Sequence, residues 1–304
     1  MSTRKRTLLI VGCGDIALRA APLLQAHYRL VGLCRKPESR NKLRLSGITP
    51  MHGDLDLPGS LGRISGLAHA VLHLAPPPEH GHTDSRTSHL LSALAKRPKI
   101  KGAILPQQFV YISTTGVYGN CQGRFIDETC PVNPESRRAA RRVDAERQIR
   151  AWGQRNGTNV SILRVPGIYA LDRLPLARLR QRECLALVPE EDSYTNHIHA
   201  DDLARILVAA LRHARPGRIY NVSDDSRLKM GDYFDLVADH FELARPRRIS
   251  RGQAEGGLIS QNLFSFMRES RRLMNMRMKH ELNIDLRYPA VSNCLACPAP
   301  AEPG

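Results

Sequence analysis

Apolar residues fall in short unbroken runs separated by stretches with helical spacing over most of the chain. Leu8-Leu9-Ile10-Val11 is the first run, and the amphipathic stretch from Ile16 to His27 follows it at once. Arg29 to Leu33, Ile48 to Met51, Ala70 to Leu74, Phe109 to Ser113 and Val160 to Val165 read as further strands of the fully buried kind. Between them, Asp84 to Lys96 carries Leu90, Leu91 and Leu94 on one side of a helix. A long Arg-dense helix is predicted from Asn133-Pro134 to about Arg155, closed by Asn156-Gly157. Strands that alternate with helices predict an α/β fold with a doubly wound parallel sheet, because right-handed crossovers leave little other topology.

Beyond Pro166 the alternation loosens. Residues 169 to 195 are rich in Leu and Arg and are broken by Pro175 and Pro189; a clear helix returns at Asp201 to His213, followed by a strand at Arg218 to Val222. Met230 to Leu243 and Phe264 to Glu281 have helical spacing, whereas Pro and Ala dominate without period from about Ala290. The expected organisation is a doubly wound domain over 1–168 with a later return at about 196–222, a smaller C-terminal lobe over 169–290, and a disordered tail over 291–304.

Composition narrows the class without naming a function. No stretch of the 304 residues approaches the roughly 20 apolar residues that span a bilayer, and Met-Ser-Thr-Arg-Lys-Arg lacks a following secretory apolar segment, so a cytoplasmic protein is expected. Seven cysteines without framework spacing fit a reducing compartment, and Cys294-x-x-Cys297 is one isolated pair, not a metal site. A net charge of +16 favours anionic ligands, but the Arg residues are scattered and show no nucleic-acid motif.

The chemistry starts at the first strand–helix junction, Gly12-x-Gly14-x-x-Ala17. Gly12 permits a tight turn, Gly14 lets a pyrophosphate approach the main chain, and Ala17 lets helix and strand pack closely. The amides around Asp15 and Ile16 at the helix start would then face the phosphates, which is the dinucleotide site of a Rossmann-type sheet. Past the second strand stand Arg35 and Lys36, where a carboxylate would grip the ribose of NAD; basic residues there favour NADP over NAD.

With Gly53-Asp54-Leu55, His73-Leu74-Ala75, Ser113-Thr114-Thr115-Gly116-Val117-Tyr118-Gly119, Arg164-Val165-Pro166-Gly167-Ile168-Tyr169 and His197-Ile198-His199-Ala200-Asp201-Asp202-Leu203-Ala204 in order, the chain resembles the extended and atypical short-chain dehydrogenase/reductase family. It is most similar to the NAD-dependent epimerase/dehydratase group, over about residues 7 to 288. The resemblance implies that Asp54 and Leu55 flank the adenine, that Leu74, Ala75 and Pro76 line the path to the nicotinamide ribose, and that Pro166, Gly167 and Ile168 border the nicotinamide. Thr114 matches the hydroxyl that hydrogen-bonds the reacting oxygen, and Asn196, His197 and His199 lie where cofactor and substrate lobes meet. Tyr118 and Asp201 are read as a packed aromatic and a helix cap.

Two departures qualify the resemblance. The family's acid–base pair, Tyr-x-x-x-Lys on the long helix, falls on Arg138 and Arg142 when counted back from Glu146, and a guanidinium does not shuttle protons near neutral pH. The glycine turn is also tighter than the family's usual Gly-x-x-Gly-x-x-Gly. The expected function is an NAD(P)-dependent oxidoreductase or epimerase/dehydratase acting on a carbonyl or hydroxyl of a polar, possibly sugar-nucleotide-like small molecule. In that reading Thr114, Arg138, Arg142, His199 and Tyr169 are the catalytic candidates, with His199 or Tyr169 supplying the proton. Arg173, Tyr194, Asn196 and His197 are expected to meet an anionic or polar substrate, and Arg178, Arg180 and Arg182 add to the positive charge nearby. The alternative is an NADP-binding regulator or assembly protein that has lost catalysis. In either reading a monomer or a homodimer is expected.

Overall fold

The computed structural model describes residues 5–95, 104–181, 184–259 and 261–296. Seven strands among them form one sheet: β1 (Arg6–Val11), β2 (Tyr28–Cys34), β3 (Thr49–His52), β4 (Ala70–His73), β5 (Gln108–Thr114), β6 (Asn159–Val165) and β7 (Ile219–Asn221). They run in the order β7-β6-β5-β4-β1-β2-β3, and every pair is parallel. The order reverses between β1 and β4, and that is where an open α/β sheet places its ligand crevice.

Period-two burial explains the layers. Leu8 and Ile10 of β1 face α1 (Asp15–Gln25) on one side, together with Leu203, Ile206 and Leu207 from the helix over Ala200–His213. Leu9 and Val11 face the other way, onto Leu90 and Leu94 of the helix Ser85–Ala95 and onto Ala145, Ile149 and Trp152 of the long helix Arg137–Asn156. Both faces of the sheet are therefore covered, as its continuous apolar strands require.

A third apolar cluster joins Tyr169, Leu179, Leu187, Tyr233, Phe234, Val237 and Ile249 beyond the C-terminal edge of the sheet. Short parallel pairs stitch this region together: 167–169 with 197–199, 185–187 with 247–249, and 125–126 with 272–273. Among the described residues no helix is long and apolar enough to cross a membrane.

Three expectations change. The long helix starts at Arg137, not at Asn133, because the Ser136 hydroxyl accepts the Ala139 amide at 3.2 Å and caps it; Gly157, at φ +65°, ends it as expected. The single helix expected over 264–281 is two, Gln261–Met267 and Met276–Leu282, because backbone amides of Arg272 and Met274 are drawn to the carbonyls of Arg124 and Ile126. The tail is folded at its start, where Val291–Leu295 is a helix that buries Val291, Cys294 and Leu295 in the third cluster. Cys297 and Arg182 lie outside the described residues.

Candidate functional site

Gly12 and Gly14 sit in the crevice between β1 and β4 and differ in what surrounds them. Gly12 has φ +96°, and a side-chain carbon built on it would lie 2.4 Å from the Ala75 amide nitrogen and 2.7 Å from the carbonyl carbon of Leu74. It is the position where the chain after β1 slides under the chain after β4. Gly14 has nothing within 4 Å of such a carbon, and it opens α1 with no side-chain cap. The first intrahelical bond is Leu18 N to Gly14 O at 3.1 Å, so the amides of Asp15, Ile16 and Ala17 precede it at the positive end of the helix. A cradle of this kind fits a diphosphate.

Charged residues ring the cradle. The Asp15 carboxylate accepts from Arg19 at 3.0 Å and from Arg173 at 2.9 Å, while Arg19 also reaches Asp172 at 2.6 Å and Asp201 at 2.8 Å. Arg173, expected among substrate residues, is therefore at the mouth of the glycine turn. Past β2, Arg35 and Lys36 are exposed, and among the described residues the ion-pair partner of Arg35 is Asp56, at 3.9 Å, a carboxylate that Arg86 already holds at 2.7 Å. Asp54 accepts the Asp56 amide at 2.9 Å, and the Leu55 carbonyl meets His89 at 2.7 Å, so this turn is fixed by its own bonds. Pro76 bends the chain after Ala75, and its carbonyl accepts from Arg86 at 3.3 Å.

At the C-terminal ends of β5 and β6 a cavity of about 350 Å³ gathers much of what the motifs point to: Thr114, Arg138, Arg142, Pro166, Gly167, Tyr194, Asn196 and His197. Thr114 ends β5, where its hydroxyl accepts the Gly116 amide at 3.3 Å. Arg142 donates to the Ile112 carbonyl at 2.7 Å and to the Tyr111 hydroxyl at 3.0 Å. One helical turn earlier, Arg138 lies over the Phe266 ring at 4.2 Å. Asn196 donates to the Arg271 carbonyl and accepts the Leu273 amide, which locks it as a wall. His197 is buried and stacked on Tyr233 at 4.3 Å; burial pulls its pKa to about 4, so it is neutral at pH 7. Ile168 pairs with Ile198 beside this wall.

Two residues expected as proton donors do not line this cavity. The His199 Nδ1 accepts the Asp201 amide at 3.2 Å, capping the helix that follows, and its ring stacks on Tyr288 at 3.7 Å. Burial lowers its pKa. Tyr169 is buried, edge-on to His199 at 5.2 Å and beside the Asp224 carboxylate; burial raises its pKa far out of reach. These are packing and capping roles. His199, not Asp201, is the cap, while Asp201 pairs with Arg19.

The cavity also contains residues that the sequence reading missed. Arg271 donates to the Gly119 carbonyl at 2.7 Å and, through two nitrogens, to Glu269 Oε2 at 2.9 Å, and both side chains are buried. The signal available was the polar run Arg268 to Arg272, which interrupts apolar spacing that otherwise reads as one helix.

Residues 18–223 match the family model described as NAD dependent epimerase/dehydratase family, about two thirds of the chain. The chain belongs to that family. The matched span begins inside α1, just after the glycine turn. GDP-6-deoxy-D-mannose reductase of Pseudomonas aeruginosa is 27% identical over 236 residues, covering 68% of this chain and 77% of that protein. Human dTDP-D-glucose 4,6-dehydratase is 21% identical over 150 residues, 47% of this chain and 41% of that enzyme, so the match spans less than half of its length. Among solved structures, a conserved protein of unknown function from Silicibacter pomeroyi superposes with a TM-score of 0.76 at 26% identity, over 96% of this chain and 97% of that one. UDP-glucuronic acid 4-epimerase from Bacillus cereus, solved with NAD, gives 0.74 at 17% identity over 95% and 96%, which speaks for the shared fold of the epimerase/dehydratase family.

Proposed function

We propose that this epimerase/dehydratase family member binds a nicotinamide coenzyme and uses it on a carbonyl or hydroxyl of a polar substrate whose head enters the cavity at Thr114. One observation carries the reading: the cavity containing Thr114, Pro166 and Gly167 and a glycine cradle with space left open over Gly14 both lie at the C-terminal ends of parallel strands of the same sheet. When bound, the coenzyme would supply or accept hydride. In this assignment the amides of Asp15, Ile16 and Ala17 hold its diphosphate, Asp54, Leu55, Leu74, Ala75 and Pro76 line its adenosine and ribose side, and Pro166, Gly167 and Ile168 border its nicotinamide. Arg35 and Lys36 favour NADP, since both are exposed where a ribose 2′-phosphate would arrive.

Thr114 would hydrogen-bond the reacting oxygen, a task suited to a group that both donates and accepts. Arg142 keeps the cationic place of the family lysine, whereas Arg138 stabilises charge but does not exchange protons. Tyr194, Asn196 and His197 would shape the substrate side. The relatives that act on nucleotide-linked sugars make these the first compounds to try. The test is a screen of sugar nucleotides and small carbonyls for appearance or loss of reduced-nicotinamide absorbance, with NAD and with NADP. Turnover with any class supports the reading; coenzyme binding without turnover across the panel rejects catalysis. That second outcome favours a coenzyme-binding regulator, the reading motivated by an arginine at 138 and by the burial of His199 and Tyr169 away from the cavity.

A further inference from the structure

Within the cavity, the guanidinium of Arg138 has an unusual standing. Among the described residues it forms no ion pair and donates no hydrogen bond; its neighbour is the face of Phe266 at 4.2 Å, which leaves every N–H on the guanidinium edge available. It is half-buried, and a cation taken out of water without a partner is costly unless a ligand supplies the counter-charge. Among the described residues Glu269 is the one carboxylate lining the cavity, and its charge acts on Arg138 through space, but the two form no ion pair. Arg142 is a second cation, already engaged by Ile112 and Tyr111, and Glu269 has Oε2 occupied by both terminal nitrogens of Arg271. Three guanidiniums thus face one carboxylate.

We propose that Arg138 makes this cavity a receptor for a carboxylate on the substrate, held beside the carbon that reacts. The proposal rests on the function proposed above for where that carbon lies, since Arg138 shares the cavity with Thr114 and Gly167. A planar guanidinium edge matches a carboxylate through two parallel hydrogen bonds. The volume of about 350 Å³ is near the lower end of ligand pockets, roughly 300–1,000 Å³, and suits the acidic head of a substrate. The same edge and the surplus of guanidiniums also attract a phosphate, so the choice of carboxylate is put to the test by competition with inorganic phosphate.

The experiment is calorimetric titration of the full chain, with and without NADP, using D-glucuronate against D-glucose and tartronate against glycerol, with inorganic phosphate as competitor. Each acid is expected to bind at least tenfold more tightly than its neutral partner. Arg138→Met, which keeps an aliphatic stem against Phe266, should erase the difference, and Arg138→Lys should retain part of it. Arg245→Met, at an exposed ion pair with Asp239, should change nothing. Equal binding of acid and neutral compound, absence of acid binding, or a preference that survives Arg138→Met overturns the proposal. Phosphate displacing glucuronate at lower concentration overturns the choice of carboxylate. Melting curves establish that Arg138→Met is folded, and Arg138→Lys carries the test if it is not. The coenzyme-induced melting shift without any acid reads the parent function separately, so either can fail alone.

Discussion

Replacing Gly12 and Gly14 by alanine, one at a time, separates a packing glycine from a binding glycine two residues apart. At Gly12 the substitution meets two costs. Its φ of +96° lies where an L side chain is strained, about 1–2 kcal/mol. The new carbon would overlap the Ala75 amide nitrogen at 2.4 Å and the Leu74 carbonyl carbon at 2.7 Å, which are main-chain atoms that move only with β4, and overpacking of this kind costs about 1–3 kcal/mol. Gly12→Ala should therefore lose about 2–5 kcal/mol, a large share of the roughly 5–15 kcal/mol that holds a domain together.

At Gly14 neither cost applies. Its φ of −85° and ψ of −163° suit any residue, and nothing lies within 4 Å of the added methyl, so the expected loss is that of a poorer helix cap, under about 1 kcal/mol. The methyl instead occupies the space through which a diphosphate approaches the amides. Urea unfolding curves report the first effect, and titration with NAD and NADP reports the second. Gly12→Ala is expected to lower the unfolding midpoint sharply, and Gly14→Ala to leave it near wild type while weakening coenzyme binding tenfold or more. If Gly12→Ala unfolds like the parent, the close approach of the two loops is wrong. If Gly14→Ala binds coenzyme undiminished, the cradle has been assigned to the wrong ligand.

Arg35→Ala combined with Lys36→Ala should weaken NADP binding tenfold or more and NAD binding less than threefold; an equal loss for both would remove the 2′-phosphate role. Glu146→Gln strips the carboxylate that Arg164 holds at 2.7 and 3.1 Å and that Ser113 meets at 2.6 Å, all buried, so a loss of about 3–5 kcal/mol in urea unfolding is expected, and a change under about 1 would show that the pair contributes little. Burial pushes the Asp224 carboxyl up from 3.8 to about 7, so the folded protein keeps a proton that the unfolded chain releases. Stability should fall as pH rises from about 4 to about 7, and Asp224→Asn should flatten that slope and add about 2–4 kcal/mol at pH 8. A mutant whose stability keeps the parent's pH dependence would place the titration elsewhere.

What could be read from the chain divides along the range of the interactions involved. Leu8 to Val11 and the runs after it announce buried parallel strands because burial on two faces leaves no polar alternation to confuse the reading. The i, i+4 spacing of Arg138 and Arg142 likewise put both on one helix face, and the cavity contains both. The sequence misled where a partner distant in the chain decided the outcome. Arg268 to Arg272 lost its helix to a pairing with residues 125–126, and with it went the view of Glu269 and Arg271 as cavity residues. His199 and Tyr169 stand at motif positions and carry reactive groups, yet the helix end that needs a cap and the rings of His197 and Tyr288 hold them inside. A motif gives the address of a side chain and leaves open which way it points. The consequence for chemistry is specific: with both candidate donors buried and a guanidinium at 138 unable to exchange a proton, His197, Glu269 and Tyr194 are cavity groups whose chemistry allows acid–base work, although burial holds His197 neutral and Glu269 is tied to Arg271. A substrate that brings its own carboxylate would meet the unpaired charge at Arg138, which would tie the proposed replacement of the family tyrosine to what the cavity binds.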